Sequence, residues 1–318
     1  MMEKVENRIK EMSLRTRKQS GLFRRMAIWL IVSLSISFIF FREFWASLGT
    51  LLSPDWIFGQ HHATSWGILL LCAIALWLKR KIIWKKIEVR PHFTFTALGI
   101  SLTVGAVLIP FSRDFLVLQA LLASLGVFVI LFGKAAKIPI ILLGIYGFVV
   151  AFPLIIERFA ELPYAMSVIR PLAWVLTILG YPFLNQGQLM HFTSNAGESI
   201  SIVITAACAG PATMGVFLAI FALMMFDIPL PPKKAIWIFL FGVTGTWVQS
   251  IIRLIIVFLV GYQWGEEAVW TTHSWTIYIL FPAWYLLFVY VYFRQAGRPS
   301  QMVTGEVKSS KENQVAVV

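Results

Sequence analysis

Residues 235–260 read AIWIFLFGVTGTWVQSIIRLIIVFLV. The run is long enough to cross a bilayer as a helix, and one charge, Arg253, interrupts it. Comparable runs of about 17–25 apolar residues recur along the chain. Of its 318 residues, 58% are hydrophobic and 13% are charged, and the mean hydropathy is +0.78. A soluble domain carries roughly 25% charge and 45–50% apolar residues. The excess is too large for one core. It excludes a soluble enzyme and a disordered chain, and two cysteines build no disulfide framework. The class is an all-α polytopic membrane protein.

The net charge of +12 is not a nucleic-acid footprint. It clusters between the apolar runs, at Lys4 to Arg25, Lys79 to Arg90, Lys134 and Lys137, Lys233 and Lys234, then Arg294 and Arg298. These are the marks of cytoplasmic loops. They give eight spans, about Leu22–Phe41, Ser65–Leu78, Phe93–Phe111, Phe115–Phe132, Ile138–Ile156, Pro211–Phe226, Ala235–Val260 and Trp275–Tyr292. Both termini are then cytoplasmic, in a multi-pass protein of the cell membrane. Residues 1–21 form a basic cytoplasmic leader, 22–293 the multi-span membrane domain, and 294–318 a polar tail. Met26–Phe41 follows the leader without a clear cleavage site and reads as an uncleaved anchor. Outer turns fall at Pro54, Asp55, His61 and His62, and at Ser112, Arg113 and Asp114.

Two stretches break the pattern. Residues 162–183 contain Pro163, Arg170, Pro171 and Pro182 and no flanking basic cluster. A crossing there would reverse every later loop, so an interfacial or re-entrant helix on the outer face is expected. Asn185 to Thr205 is polar, with β-formers at Leu189–Thr193 and Ile200–Thr205 around a turn-like Thr193-Ser194-Asn195-Ala196-Gly197. It predicts a short outer β-hairpin. Gly261 to Thr272 is expected to be an outer loop.

Three groups point to chemistry. Arg253 lies well inside its span, where a charge costs on the order of 2.5–3.5 kcal/mol. It either snorkels to the headgroups or is held for an anion. Cys208 precedes Gly210-Pro211, a helix start. Free N–H groups there stabilise a thiolate, although a lone cysteine also serves as a small hydrophobe. His273 opens the last span and is either an interfacial histidine or a proton-transfer group. Cys72, mid-span, is a packing residue. His61, His62, His92 and His191 make no cluster at ligand spacing, and neither metal nor cofactor is expected. The loop charges bring Cys208, Arg253 and His273 to one leaflet. Together they suffice for acyl transfer, with a nucleophile, an anion-stabilising cation and an acid/base.

The segment Ala207-Cys208-Ala209-Gly210, the Ser250-Ile251-Ile252-Arg253 of the next span and His273 opening the last one resemble the exosortase/archaeosortase family over about residues 93–293. The resemblance implies a membrane cysteine protease/transpeptidase, with Cys208 as nucleophile, Arg253 as thiolate or oxyanion stabiliser and His273 as general acid/base. It further implies as partners exported proteins that end in a motif, an apolar span and a basic cluster. The enzyme would cut them at the outer leaflet and pass the new C-terminus to an acceptor such as a lipid. Three positions depart from the family pattern: Ala209 where Ser or Thr is usual, Pro211 where an aliphatic residue is usual, and Ser250 where Asn is common. Two other readings stay open, a transporter binding an anion at Arg253 and a non-catalytic assembly subunit.

Overall fold

The structure, a computed structural model, describes residues 2–51, 63–87, 92–108 and 115–297. The expected turns at Pro54 to His62 and Ser112 to Asp114, Arg90, and the tail from Arg298 lie outside the described residues. The chain divides into two compact units, Met1–Ile155 and Ile156–Val318.

The first unit holds α1 (Met2–Phe40), α2 (Arg42–Ala46), α3 (Leu48–Leu51), α4 (Ala63–Lys85), α5 (Phe93–Leu108) and α6 (Leu116–Phe132). A 3-10 turn, Gly133–Ala136, leads into α7 (Lys137–Phe159). Its tightest crossing pairs α5 with α6 at two glycines. A Cβ on Gly126 would lie 2.6 Å from the carbonyl oxygen of Gly99. Small residues let two backbones meet where surrounding lipid gives no hydrophobic drive for association. Gln119 Nε2 donates to Ala106 O at 2.6 Å across the same pair.

The second unit begins with α8 (Glu161–Ile178). Its Ala165, Val168, Ile169, Leu172 and Leu176 recur at helical spacing and are all buried, while Arg170 and Trp174 are exposed. One apolar face is thus packed and the other left open. Next come β1 (Leu184–Gln186), β2 (Leu189–Thr193) and β3 (Ser199–Val203), an antiparallel sheet in the order β1-β2-β3. The expected hairpin is therefore a three-stranded meander. The added strand arises because Gly187, at φ +65°, closes a two-residue turn between Gln186 and Leu189, the conformation such hairpins require. The sequence carries no β-branched signal at Leu184–Gln186 to announce it.

A one-turn helix, α9 (Ala206–Ala209), precedes α10 (Pro211–Asp227), α11 (Pro232–Trp264) and α12 (Glu266–Ala296). The loop expected over Gly261–Thr272 is helical on both sides of Gly265, whose φ of +89° alone breaks the run. Glu266 and Glu267 read as loop residues, yet acids in a first turn suit a helix N-terminus. The last helix thus starts at Glu266, well before the expected Trp275. One core joins α8, the sheet, α9 and α11 through Leu172, Met190, Ile200, Ala209, Leu254 and Phe258, among others.

Among the described residues, Gly21–Phe40, Leu116–Phe159, Pro232–Trp264 and Glu266–Ala296 are long and apolar enough to cross a membrane. Phe93–Leu108 and Pro211–Asp227 are shorter apolar helices. Large apolar groups such as Trp237, Ile279 and Leu286 are exposed on their outer faces, which suits a lipid surrounding rather than water.

Candidate active site

The site grows from the α11–α12 hairpin. Gly265 reverses the chain and folds α12 back along α11, so residues 20 apart in sequence come into contact. Arg253 is 3% exposed, turned into the protein. Its Nη2 donates to His273 Nε2 at 2.9 Å and to the main-chain oxygen of His273 at 3.3 Å. A guanidinium has only donors. His273 Nε2 must therefore accept, which makes the imidazole neutral with its proton on Nδ1. Arg253 Nε–H is buried and has no hydrogen-bond partner among the described residues. An unmet buried donor costs about 1–3 kcal/mol, and more for a charged group.

The hairpin tip is clamped by the β2–β3 turn. Asn195 N–H donates to Tyr262 O at 2.8 Å, at the C-terminal end of α11. Glu198 Oε2 accepts from Glu266 N–H at 3.0 Å, at the start of α12. One turn thus satisfies a carbonyl of the ending helix and an N–H of the beginning one, groups with no partner inside their helices. A Cβ on Gly265 would collide with Glu198 Oε2. His273 sits two helical turns beyond this clamp. Lower in the hairpin, Gln249 Nε2 donates to Leu280 O at 3.2 Å and Trp284 Nε1 to Thr246 Oγ1 at 3.0 Å.

Cys208 arrives on a separate path. β3 leads through the extended Thr205 into α9, and Cys208 N–H bonds back to Thr205 O at 3.1 Å. Ala206 and Ala209 are buried, which fixes the turn and leaves Cys208 half-buried between them. Thr205 Oγ1 donates to Cys208 Sγ at 3.6 Å. The turn ends at Gly210, whose φ is +92° and whose Cβ would lie 2.6 Å from Ser250 Oγ and 2.9 Å from Thr213 Oγ1. Glycine is needed here twice, for the left-handed backbone and for the close approach to α11. That approach falls at Ser250, one helical turn before Arg253. The sulfur packs against the core formed in part by Leu254 and Ile251, on the helix that carries Arg253. Tyr285 OH donates to Thr213 O at 2.7 Å and ties the start of α10 to α12.

Arg253 and His273 are thus directly bonded, and the turn that carries Cys208 meets α11 at Ser250, one helical turn before Arg253. The bond that holds the imidazole is to Arg253, while the sulfur's is to Thr205. Cys72 is buried in α4 and donates to Leu142 O at 3.5 Å. His191 pairs with Ser201 Oγ at 2.6 Å across the sheet. Among the described residues no group of three or more His, Cys, Asp or Glu could hold a metal ion. The clamp residues Asn195 and Glu198 carried no signal in the sequence beyond a turn. Gly265 before two acids, a helix stop followed by a helix start, was the readable sign that the expected loop is a sharp reversal.

Helices of membrane-crossing length and composition among the described residues define a multi-pass membrane protein, with Arg253 buried and Cys208 and His273 half-buried in one unit. The chain belongs to the transmembrane exosortase family (Exosortase_EpsH), whose family model matches residues 56–290 and so includes Cys208, Arg253 and His273. No curated protein and no solved structure matches it.

Proposed function

We propose that the protein is a membrane cysteine protease/transpeptidase acting on exported proteins that carry a C-terminal motif, apolar span and basic cluster. Cys208 is the nucleophile, Arg253 the anion stabiliser and His273 the acid/base. The observation that carries this reading is Arg253 itself. A buried guanidinium keeps one N–H unmet, on the helix that the turn of a half-buried thiol meets one helical turn away, as a donor kept for charge that develops during reaction would be.

In the reaction, the thiol proton passes to His273 Nε2 as the bond from Arg253 opens. Arg253 stays in place through its bond to the His273 main-chain oxygen. The thiolate adds to the scissile carbonyl, and the leaving amine takes the proton back from His273. The thioester that remains is resolved by an acceptor amine, such as a lipid headgroup, or by water. Eight crossings with both termini in the cytoplasm place this chemistry at the outer leaflet. A substrate held by its own span presents its scissile bond there. In this arrangement α8 lies at the outer interface rather than crossing, and residues 22–293 act as one membrane catalytic domain between the basic leader and the polar tail.

The test is processing of a secreted reporter fused to such a C-terminal signal from the same organism. Cys208→Ala and Cys208→Ser are each expected to lower processing by at least about 10³-fold with normal amounts of folded protein. Full processing by Cys208→Ala would overturn the assignment.

A further inference from the structure

Two buried side-chain donors have no partner among the described residues, Arg253 Nε and Gln188 Nε2. The mechanism above uses the first. The second lies in the same unit, and strand geometry brings it within about one helical turn of Arg253 along α11. Side chains two apart on a strand share a face. Gln188 precedes β2 in the phase of Met190 and Phe192, which are 2% and 4% exposed and belong to the core that Cys208 packs against. The strand also runs along α11. Phe192 packs on Phe258 with ring centroids 4.4 Å apart, and three residues later Asn195 N–H bonds Tyr262 O, four residues further along the helix. At about 3.3 Å per strand residue and 1.5 Å per helix residue, the four residues from Phe192 back to Gln188 reach the level of Gln249 and Ser250 on α11, where the Gly210 turn meets that helix.

A second line of contact gives the same placement. Gln188 O accepts from Ile204 N–H at 2.8 Å, and Ile204 leads through Thr205 into the single turn that holds Cys208. Gln188 therefore stands next to the chain that presents the thiol, with its amide directed into the core.

We infer that Gln188 is a further catalytic residue, the second donor of an oxyanion hole completed by Arg253 Nε–H. This rests on the cysteine reading above. As Cys208 Sγ adds to the scissile carbonyl carbon, the C–S bond forms and the π pair moves onto oxygen. That oxyanion is held by Gln188 Nε2–H and Arg253 Nε–H. On collapse the pair returns, the C–N bond breaks and the amine leaves with the proton from His273. No further reactant is needed. The two unmet donors of the resting protein are filled only when charge appears on that oxygen, so they stabilise the transition state more than the ground state.

The test compares two reactions at the same sulfur. Acyl transfer from the reporter fusion passes through an oxyanion. Alkylation by iodoacetamide displaces iodide at a saturated carbon and forms none. Gln188→Met and Gln188→Leu remove the donors and keep an apolar fit. Each is expected to lower kcat for the reporter by about 10²–10³-fold with KM unchanged. Alkylation of Cys208, read by peptide mass spectrometry, should keep its wild-type rate in both. Wild-type kcat in both variants overturns the inference. So does a parallel fall in alkylation, which marks general damage to the site. If Cys208→Ala still processes the reporter, the cysteine reading itself fails. If Cys208→Ala is inactive and the Gln188 variants are not, only the role of Gln188 fails.

Discussion

Gly210→Ala tests how closely the nucleophile turn must approach α11. The added Cβ would stand 2.6 Å from Ser250 Oγ, and an ordinary contact begins at 3.4 Å. The turn or the serine must therefore yield by about 0.8 Å. The φ of +92° adds a left-handed penalty of roughly 1–2 kcal/mol for a residue with a side chain. Together these predict a stability loss of about 2–5 kcal/mol, since overpacking alone typically costs 1–3 kcal/mol. The turn carries Cys208, and a misplacement of about 1 Å can cost 10²-fold in rate, so processing should fall by about that factor. The two causes separate in a cycle. Adding Ser250→Ala removes the closest atom and leaves Thr213 Oγ1 at 2.9 Å and the Ser250 Cβ at 3.6 Å. The double variant should regain at least about tenfold in rate while keeping the backbone part of the stability loss. The assay is processing of the reporter fusion in isolated membranes, with thermal unfolding in detergent for stability. A Gly210→Ala enzyme at wild-type rate, or rates that simply multiply in the double variant, would refute the idea that this contact sets the position of the sulfur.

Other substitutions read other parts of the site. Arg253→Lys keeps a charge and loses the planar guanidinium whose Nη2 bonds both acceptors on His273 and whose Nε–H is unmet; processing should drop by about 10²-fold or more, and a full-rate lysine variant would show that charge alone suffices. Glu198→Ala removes the acceptor at the start of α12, which should cost about 1 kcal/mol in thermal unfolding and lower kcat more than it raises KM, whereas Glu198→Gln, which keeps an acceptor, should recover most of both. An Ala variant with unchanged kcat would mean that the clamp does not position His273. In the first unit, Gly126→Val should destabilise by about 1–3 kcal/mol, because the side chain would meet Thr103 and the backbone of Gly99; an unchanged unfolding temperature would contradict the close α5–α6 crossing.

Apolar runs and their breaks were readable because a bilayer imposes length and because loops keep their charges. Thus Pro211 opens α10 within one residue of the expected start, and α11 contains the whole of Ala235–Val260. A helix was also expected at α8, and its buried Ala165, Val168, Ile169, Leu172 and Leu176 opposite the exposed Arg170 and Trp174 give it one packed face. Local cues failed where tertiary contacts decide the backbone. Leu184–Gln186 is a strand because β2 lies beside it, not because of its own residues. Glu266 to Thr272 is helical because Glu198, distant in sequence, accepts the first N–H of α12. Cys208, Arg253 and His273 stood out as uncommon groups near span ends. Gln188 and Glu198 did not, since polar residues in a polar segment draw no notice until burial or a long-range bond distinguishes them.

The central claim is a covalent bond between Cys208 and the new C-terminus of the substrate. It is measured most directly by mixing the protein with the reporter fusion in membranes, quenching in acid and mapping the Cys208 peptide by mass spectrometry. The account predicts an acyl adduct on Cys208 that neutral hydroxylamine releases as a hydroxamate at the reporter's cleaved end, with no adduct in Cys208→Ala. Cleavage of the reporter with an unmodified Cys208 throughout, and at an equal rate in Cys208→Ala, would contradict it.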